Sequence, residues 1–440
     1  MIDKSTEVFI MTVWQEISKN KKVFRIFIPM MLLYAASYFQ RTALPGTIYN
    51  TLVSEFDLSA AQMGSLGAAF VYPYAICQLV SGSMVDRFCG TRVILTGGII
   101  FLAGALLFPL CSNLPMLYLS RIITGIGASA MYLSLVRETD RFFGRKNYAL
   151  MFGIAYFCGY AGGLMGSLPF ERLCQLFPWR QVLLAGAVLA VLFYAGIAAN
   201  LRSTTLPPIP KTPFSLAPFK FILCNPLSWL IIICGNINFC TYFIIQTVFG
   251  KKFLEDFAGF SSSAAAATIF ALTLVCMFTM LGTSILTRLT GNRRRPLVRA
   301  ACAMCALSSL LMLAAIRFGA PGWMFAVIYC MFAAAAGLPP IFSMLMQEFN
   351  SRDCIAQSSA VSNMFGYLSV AICSQLIGLL LDCFEKTERG GNIIYSASAY
   401  QTLFIIVSAI TVFAFILSLK IPETCGHYLH LKSTKEKTQC

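Results

Sequence analysis

The chain is a succession of long apolar runs separated by short polar connections. Apolar runs lie near 24–48, 62–85, 93–110, 115–136, 148–168 and 180–200, and after a break near 227–249, 262–286, 297–316, 322–346, 359–381 and 398–421. A helix needs about 20 mostly apolar residues to cross the hydrocarbon layer of a bilayer. The pattern therefore predicts an all-α membrane protein with twelve transmembrane helices. The break at 201–226 holds Pro207, Pro208, Pro210, Pro213, Pro218 and Pro226 beside Arg202, Lys211 and Lys220. It reads as a cytoplasmic linker between an N-terminal six-helix bundle, 23–200, and a C-terminal six-helix bundle, 227–421. Residues 1–22 and 422–440 read as cytoplasmic end segments.

Composition agrees. The chain is 58% hydrophobic and 12% charged, with mean hydropathy +0.74. A soluble domain carries about a quarter charged residues, so these apolar faces must meet lipid. A net charge of +15 would ordinarily suggest nucleic acid. Here the basic residues sit between the apolar runs, as the positive-inside tendency requires. The segments assigned to the inside carry 23 Lys and Arg, against seven outside (Arg172, Arg180, Lys251, Lys252, Arg317, Lys386 and Arg389). The expectation is a multi-pass protein of the cell (inner or plasma) membrane with both termini cytoplasmic. Lys19, Lys21 and Lys22 follow a polar to amphipathic start, with no cleavable signal peptide expected. Of 17 cysteines, most lie in apolar runs. The Cys302–Cys305 pair sits in a predicted span, where packing is the simpler reading than metal or redox chemistry. Neither a nucleotide-binding signature nor a nucleophile–base or metal cluster stands out. The expected partners are a small molecule and the bilayer, with no cofactor, no metal, no catalysis and no nucleic acid, in a monomer.

The charges inside the membrane change the picture most. None of the 18 acids falls in the middle of a predicted span, and both histidines, His427 and His430, lie in the tail. Two arginines do fall within spans, Arg41 and Arg121. An arginine in hydrocarbon costs at least about 2.5 kcal/mol and usually faces a cavity. Tyr34, Ser37, Tyr38 and Arg41 share one helical face, and a cation in a polar stripe suits an anionic ligand. The competing reading for Arg41 is snorkelling to the interface. For Arg121 a structural role is preferred. Further polar pairs four residues apart are candidates to line a binding site: Tyr74 and Gln78, Tyr156 and Tyr160, Asn363 and Tyr367, and the series Asn238, Tyr242 and Gln246, with Asn236 nearby. Such side chains also often bond neighbouring helices only. Pro339–Pro340, after Gly337, predicts a bend.

Short motifs add a family resemblance. Between the second and third runs the chain reads Gly82-Ser-Met-Val-Asp86-Arg87-Phe-Cys-Gly90-Thr-Arg92, and between the eighth and ninth Arg288, Gly291 and Arg293 recur at the same offsets as Arg87, Gly90 and Arg92. The fourth run opens Arg121-Ile-Ile-Thr-Gly125-Ile-Gly127. With Trp179–Arg180 and Asn363, these motifs resemble the major facilitator superfamily over nearly the whole chain. The resemblance implies two pseudo-symmetric bundles and alternating-access transport. It implies a gating latch in which Asp86 faces a helix N-terminus and Arg87 or Arg92 pairs with Glu138 or Asp140; the plain alternative is that these charges stop helices sliding into lipid. Gly125 and Gly127 would let helices approach closely. The first span also resembles those of the organophosphate–phosphate antiporters and the anion–cation symporters, with Arg41 as the matching arginine. Two departures weigh against proton symport by the symporters' route: Gln40 replaces their aspartate and Ala128 their span-four glutamate. The antiporters' second arginine, in span seven, is missing too. The expected function is secondary transport of a small organic anion or sugar phosphate. An amino acid or short peptide is the alternative substrate, and a non-transporting sensor the alternative class.

Overall fold

The computed structural model describes residues 21–203, 217–290, 293–350, 355–389, 392–425, 427 and 429. Among the described residues ten helices are long and apolar enough to cross a membrane by length and composition, and the second arm of Leu114–Met165 and the broken pair after it in the C-terminal half complete twelve. In chain order the spans are Lys21–Ala43, Ala60–Phe88, Gly90–Leu107, the two arms of Leu114–Met165, Trp179–Ser203, Pro226–Thr247, Ser262–Leu289, Arg295–Arg317, the broken pair Gly322–Ala336 and Pro339–Glu348, Ile355–Asp382 and Ala397–Ser418.

The 52-residue helix Leu114–Met165 folds back on itself. Arg121 reaches the carbonyls of Gln40 and Leu44. Phe143, a full membrane thickness further on, packs on Phe24 and Phe27 at the start of the first span. Gly163 and Gly166 are back at Thr42 and Thr47. With Cys158 already back at the Met31 carbonyl, the reversal falls between Phe143 and Cys158, and the helix supplies both the fourth and fifth spans. The tenth span breaks at Gly337–Leu338, immediately before Pro339–Pro340, where proline cannot continue the hydrogen-bond ladder.

Short pieces outside the apolar pattern also appear. Tyr49–Phe56, Leu168–Leu176 and Gly250–Asp256 are short helices, and Lys386–Arg389 pairs antiparallel with Asn392–Tyr395. All lie at the end of the molecule opposite residues 21, 203 and 421, here called the distal end. The hairpin is a local addition to a fold that is otherwise all-α, as expected. Its strands sit in a polar connection whose backbone can pair locally and still face water.

Glycines set the closest helix contacts. A Cβ at Gly127 would stand 2.1 Å from the backbone nitrogen of Phe101, so spans three and four touch backbone to backbone. At Gly64 it would meet the Ser374 carbonyl oxygen at 2.3 Å, so spans two and eleven, from different halves, cross just as closely.

The halves are stitched at the distal end and at mid-membrane. Asp382 accepts bonds from the backbone N–H groups of Ala60 (3.2 Å) and Ala61 (2.6 Å). Its carboxylate therefore sits on the positive N-terminus of a helix from the other half. Lys251 donates to the Thr47 carbonyl (2.6 Å), Asn50 to Glu255 (2.7 Å), and the Tyr49 and Tyr395 hydroxyls are 3.2 Å apart. Beneath them Lys252 and Asp256 form a buried ion pair at 2.7 Å. Burial pushes the Asp256 carboxyl above the usual carboxylate range, against the pull of Lys252. Towards the end that carries residues 21 and 421, a separate apolar cluster (Ile222, Ile231, Val298, Leu338, Val361) belongs to the C-terminal half alone.

Two outcomes follow. Gly127→Val will abolish recovery of monodisperse protein in detergent, whereas Gly153→Ala, where a Cβ meets nothing within 4 Å, will purify normally. Asp382→Ala removes a helix cap worth about 1 kcal/mol. Spin labels at residues 54 and 385 will then show the longer distal separation populated about five-fold more than in the native protein.

Candidate functional site

The first span delivers Arg41 to the middle of the molecule. It is 2% exposed. Its Nη1 donates to the Tyr367 hydroxyl, 2.6 Å away on span eleven of the opposite half. The guanidinium carbon lies 4.5 Å from the Tyr38 ring centre, 4.4 Å from Tyr74 and 4.9 Å from Tyr367, with Phe70 and Phe243 slightly further. The Arg41 Nε and Nη2 groups have no hydrogen-bond partner. Among the described residues no carboxylate forms an ion pair with it. The side chain does not snorkel to an interface; it is held by aromatic faces drawn from both halves, an arrangement that attracts cations without neutralising them.

The other buried arginine is treated differently. Arg121 donates through Nη1 to the Gln40 carbonyl (2.9 Å) and through Nη2 to the Leu44 carbonyl (3.1 Å), with its carbon 4.6 Å from the Phe70 ring. These carbonyls end the first span, so Arg121 caps the negative end of that helix. That is the structural role the motif suggests. The space between the two guanidinium groups is a cavity of about 10 Å³, lined by both arginines with Leu44, Gly67, Phe243 and Thr247. It has room for about one water. A larger hollow of about 380 Å³, lined by Ala267, Thr268, Ala271, Ala326, Val327 and Cys330, lies elsewhere in the C-terminal half; its lining is almost wholly apolar.

Aromatic and amide side chains extend the site from Arg41. Tyr34, Tyr38, Tyr156 and Tyr160 form a chain of rings, with centres 5.2 Å apart at each of the contacts Tyr34–Tyr38, Tyr38–Tyr160 and Tyr156–Tyr160. The close face between spans one and five is open to them because Gly159 lies directly under the Tyr34 ring. On the other flank Tyr74 meets Tyr367 edge-on at 4.7 Å. Asn363 donates to the Gln78 carbonyl oxygen at 2.7 Å, again across the halves.

Two of the sequence candidates lie away from this group. Asn238 donates to the Cys234 carbonyl and the Cys302 sulfur, inside the C-terminal bundle, and Gln246 donates to Thr273 of span eight. Both bond within the C-terminal bundle, although Asn238 leaves its Oδ1 unpartnered. Tyr242 is buried with an unpartnered hydroxyl. Phe70, Tyr74, Phe239 and Phe243 were not foremost among the candidates. Tyr74 was legible as the partner of Gln78 one turn away, but phenylalanines in a span carry no mark that separates a cation's wall from lipid-facing bulk.

Of the expected latch, the arm through Glu138 does not form. Glu138 does not pair with Arg87 or Arg92. Its carboxylate accepts from the Thr91 N–H (3.0 Å) and pairs with Arg141 (3.1 Å). Gly90 allows this, since a Cβ there would fall 2.7 Å from the Glu138 side chain. An acid one turn from Arg141 and against a helix N-terminus is already held on both sides. Arg87 and Arg92 are exposed, and Arg87 lies over the Phe88 ring. The side chains of Asp86 and Asp140 lie outside what is described. Gly125 crosses Phe70 and Gly127 crosses Phe101, while Gly82 has only Leu133 nearby.

Comparison with known proteins places this geometry. A family model described as Major Facilitator Superfamily matches residues 30–374. A rice (Oryza sativa subsp. japonica) protein named as a probable chloroplastic anion transporter, number 4, is 25% identical over 205 residues. That match covers 42% of this chain and 34% of the rice protein. A probable sulfoacetate transporter of Cupriavidus necator is 24% identical over 161 residues, 36% of this chain and 37% of that one. These matches thus span little more than a third of either relative. The crystal structure of a D-xylose–proton symporter superposes with a TM-score of 0.73 at 16% identity, over 92% of this chain and 100% of that one, a likeness of fold alone. With twelve spans, the paired loop motifs and a family match over most of its length, the chain belongs to the major facilitator superfamily.

Proposed function

We propose that the protein is a secondary transporter of a small organic anion, which binds to Arg41 between the two halves. The observation that carries this reading is the state of Arg41: buried, unneutralised, and with two N–H groups unpartnered beside a contact between the halves. An unsatisfied buried donor costs about 1–3 kcal/mol, and more when charged. A carboxylate, sulfonate or phosphate oxygen would recover that cost through charge-assisted bonds to the guanidinium fork. A zwitterion is the second reading: its carboxylate would meet Arg41 and its ammonium the faces of the tyrosine rings, with no carboxylate among the described neighbours. The rice and Cupriavidus relatives, named for anions, support the same substrate class.

The positive-inside pattern makes the end with residues 21 and 421 cytoplasmic, and the closed distal end then faces outwards. Substrate would reach Arg41 by parting the halves at one end at a time. Of the expected linker, residues 204–216 lie outside the described residues and Ala217–Cys224 is a short helix; most of the expected tail, 422–440, also lies outside them. Exchange or uniport suits a membrane interior without mid-span acids.

Two measurements test this. Uptake of labelled carboxylates, sulfonates and phosphates into proteoliposomes will identify a best anion. Arg41→Gln will lower its uptake about 100-fold, the equivalent of one or two lost charged hydrogen bonds, and Arg41→Lys, which keeps the charge but not the fork, less. Undiminished uptake in Arg41→Gln would refute the site. Uptake of a sulfonate, ionised throughout, will vary less than two-fold between pH 6 and pH 8 (both about neutral) and will not respond to an imposed pH gradient; a steep pH dependence would mean a carboxylate carries protons after all.

A further inference from the structure

Besides its distal contacts at Ser374, Gln375 and Asp382, span eleven touches the opposite half at two levels near mid-membrane. At Tyr367 it meets Arg41; four residues earlier, at Asn363, it meets Gln78. Span two repeats the spacing, with Tyr74 at Arg41 and Gln78 four residues further along. Four helical residues rise about 6 Å, so the amide level lies about 6 Å from the guanidinium, on the side away from the distal closure. Gln78 is fully buried, yet only its carbonyl oxygen is used; Nε2 has no partner. Asn236 of span seven reaches the same stretch of span eleven. Its Oδ1 lies 3.1 Å from where a Cβ of Gly366 would stand, and its Nδ2 also has no partner. Asn236 is 8% exposed.

An amide pair that only joined two helices would close on itself. Here two buried amides from opposite halves each leave an N–H unused, Gln78 one helical turn along span two from Tyr74 at Arg41 and Asn236 one turn along span seven from Phe239 at Tyr367. Between the two levels stand the edges and faces of Tyr74, Tyr367 and Phe239, whose rings pack within 5.1 Å of one another at Tyr367. We infer that Gln78 and Asn236 form a second, uncharged subsite that hydrogen-bonds the far end of the substrate, so that the transported molecule is a hydroxy- or oxo-substituted acid with its two polar ends about 6 Å apart. This deepens the anion reading, which it uses for the head group only.

The test is calorimetric titration of the purified full-length protein in nanodiscs with two matched pairs, 4-hydroxybenzoate with benzoate and 4-hydroxybutanoate with butanoate. The native protein will bind the hydroxylated member of at least one pair about ten-fold tighter. Asn236→Leu, and independently Gln78→Met, will reduce that ratio below about two-fold, and a ligand-free melting temperature equal to that of the native protein shows that each variant is folded. Arg41→Gln will weaken both members together and preserve the ratio. Equal binding within both pairs, no binding of any of the four acids, or an undiminished ratio in both amide variants would overturn the subsite. A ratio that collapses at Gln78 or Asn236 while Arg41→Gln changes nothing would uphold the subsite and remove Arg41 as the anchor of the head group.

Discussion

A guanidinium group buried in hydrocarbon must find compensation, and Arg41 finds only part of it. Arginine carries five N–H donors and cannot shed its proton. Arg121 shows a fuller solution: two main-chain carbonyls at a helix end and an aromatic face, with only Nε left unpartnered. Arg41 has a single hydrogen bond, to a tyrosine, and faces that attract without neutralising. The difference cannot be one of burial, since both side chains are 2% exposed. It lies in what each group is turned towards. Arg121 is turned into one bundle, while Arg41 is turned across the joint between two.

That joint gives the arrangement mechanical meaning. Tyr367 and Asn363 come from the C-terminal half, and Arg41, Tyr74 and Gln78 from the N-terminal half. Under the proposed function, an anion on Arg41 would compete with the Tyr367 hydroxyl for the same cation, so loading the site would alter a contact that joins the halves. At the distal end the joint is made of helix-end electrostatics: Asp382 on the N-termini of Ala60 and Ala61, and Lys251 on the Thr47 carbonyl. Such contacts are strong when dry and are readily exchanged for water when opened, which suits a closure that must reverse.

The twelve-span plan was legible because lipid leaves a chain few options: a spanning segment must be helical and apolar throughout. The arginine at position 41 was legible for the same reason, since a charge in such a run has to be accounted for. What the sequence concealed is geometry at right angles to the helix axis. Helical spacing puts Asn238 and Gln246 on a plausible lining face, but only packing shows that Cys302 and Thr273 stand there to receive them. Glu138 was close enough in sequence to the loop motif to suggest pairing with Arg87 or Arg92, yet Arg141, one turn away, and the Thr91 N–H hold it first. The hairpin of Lys386–Arg389 and Asn392–Tyr395 was hidden because four-residue strands in a polar connection leave no apolar periodicity.

The central claim, that Arg41 is kept unneutralised in order to receive an anion, is tested most directly by locating one. Crystals of the protein soaked with a bromine-labelled carboxylate should give an anomalous difference map with its peak beside the Tyr38, Tyr74 and Tyr367 rings and carboxylate oxygens about 2.8 Å from the Arg41 nitrogens. A label that settles elsewhere, with Arg41 still bonded only to Tyr367, would contradict the account.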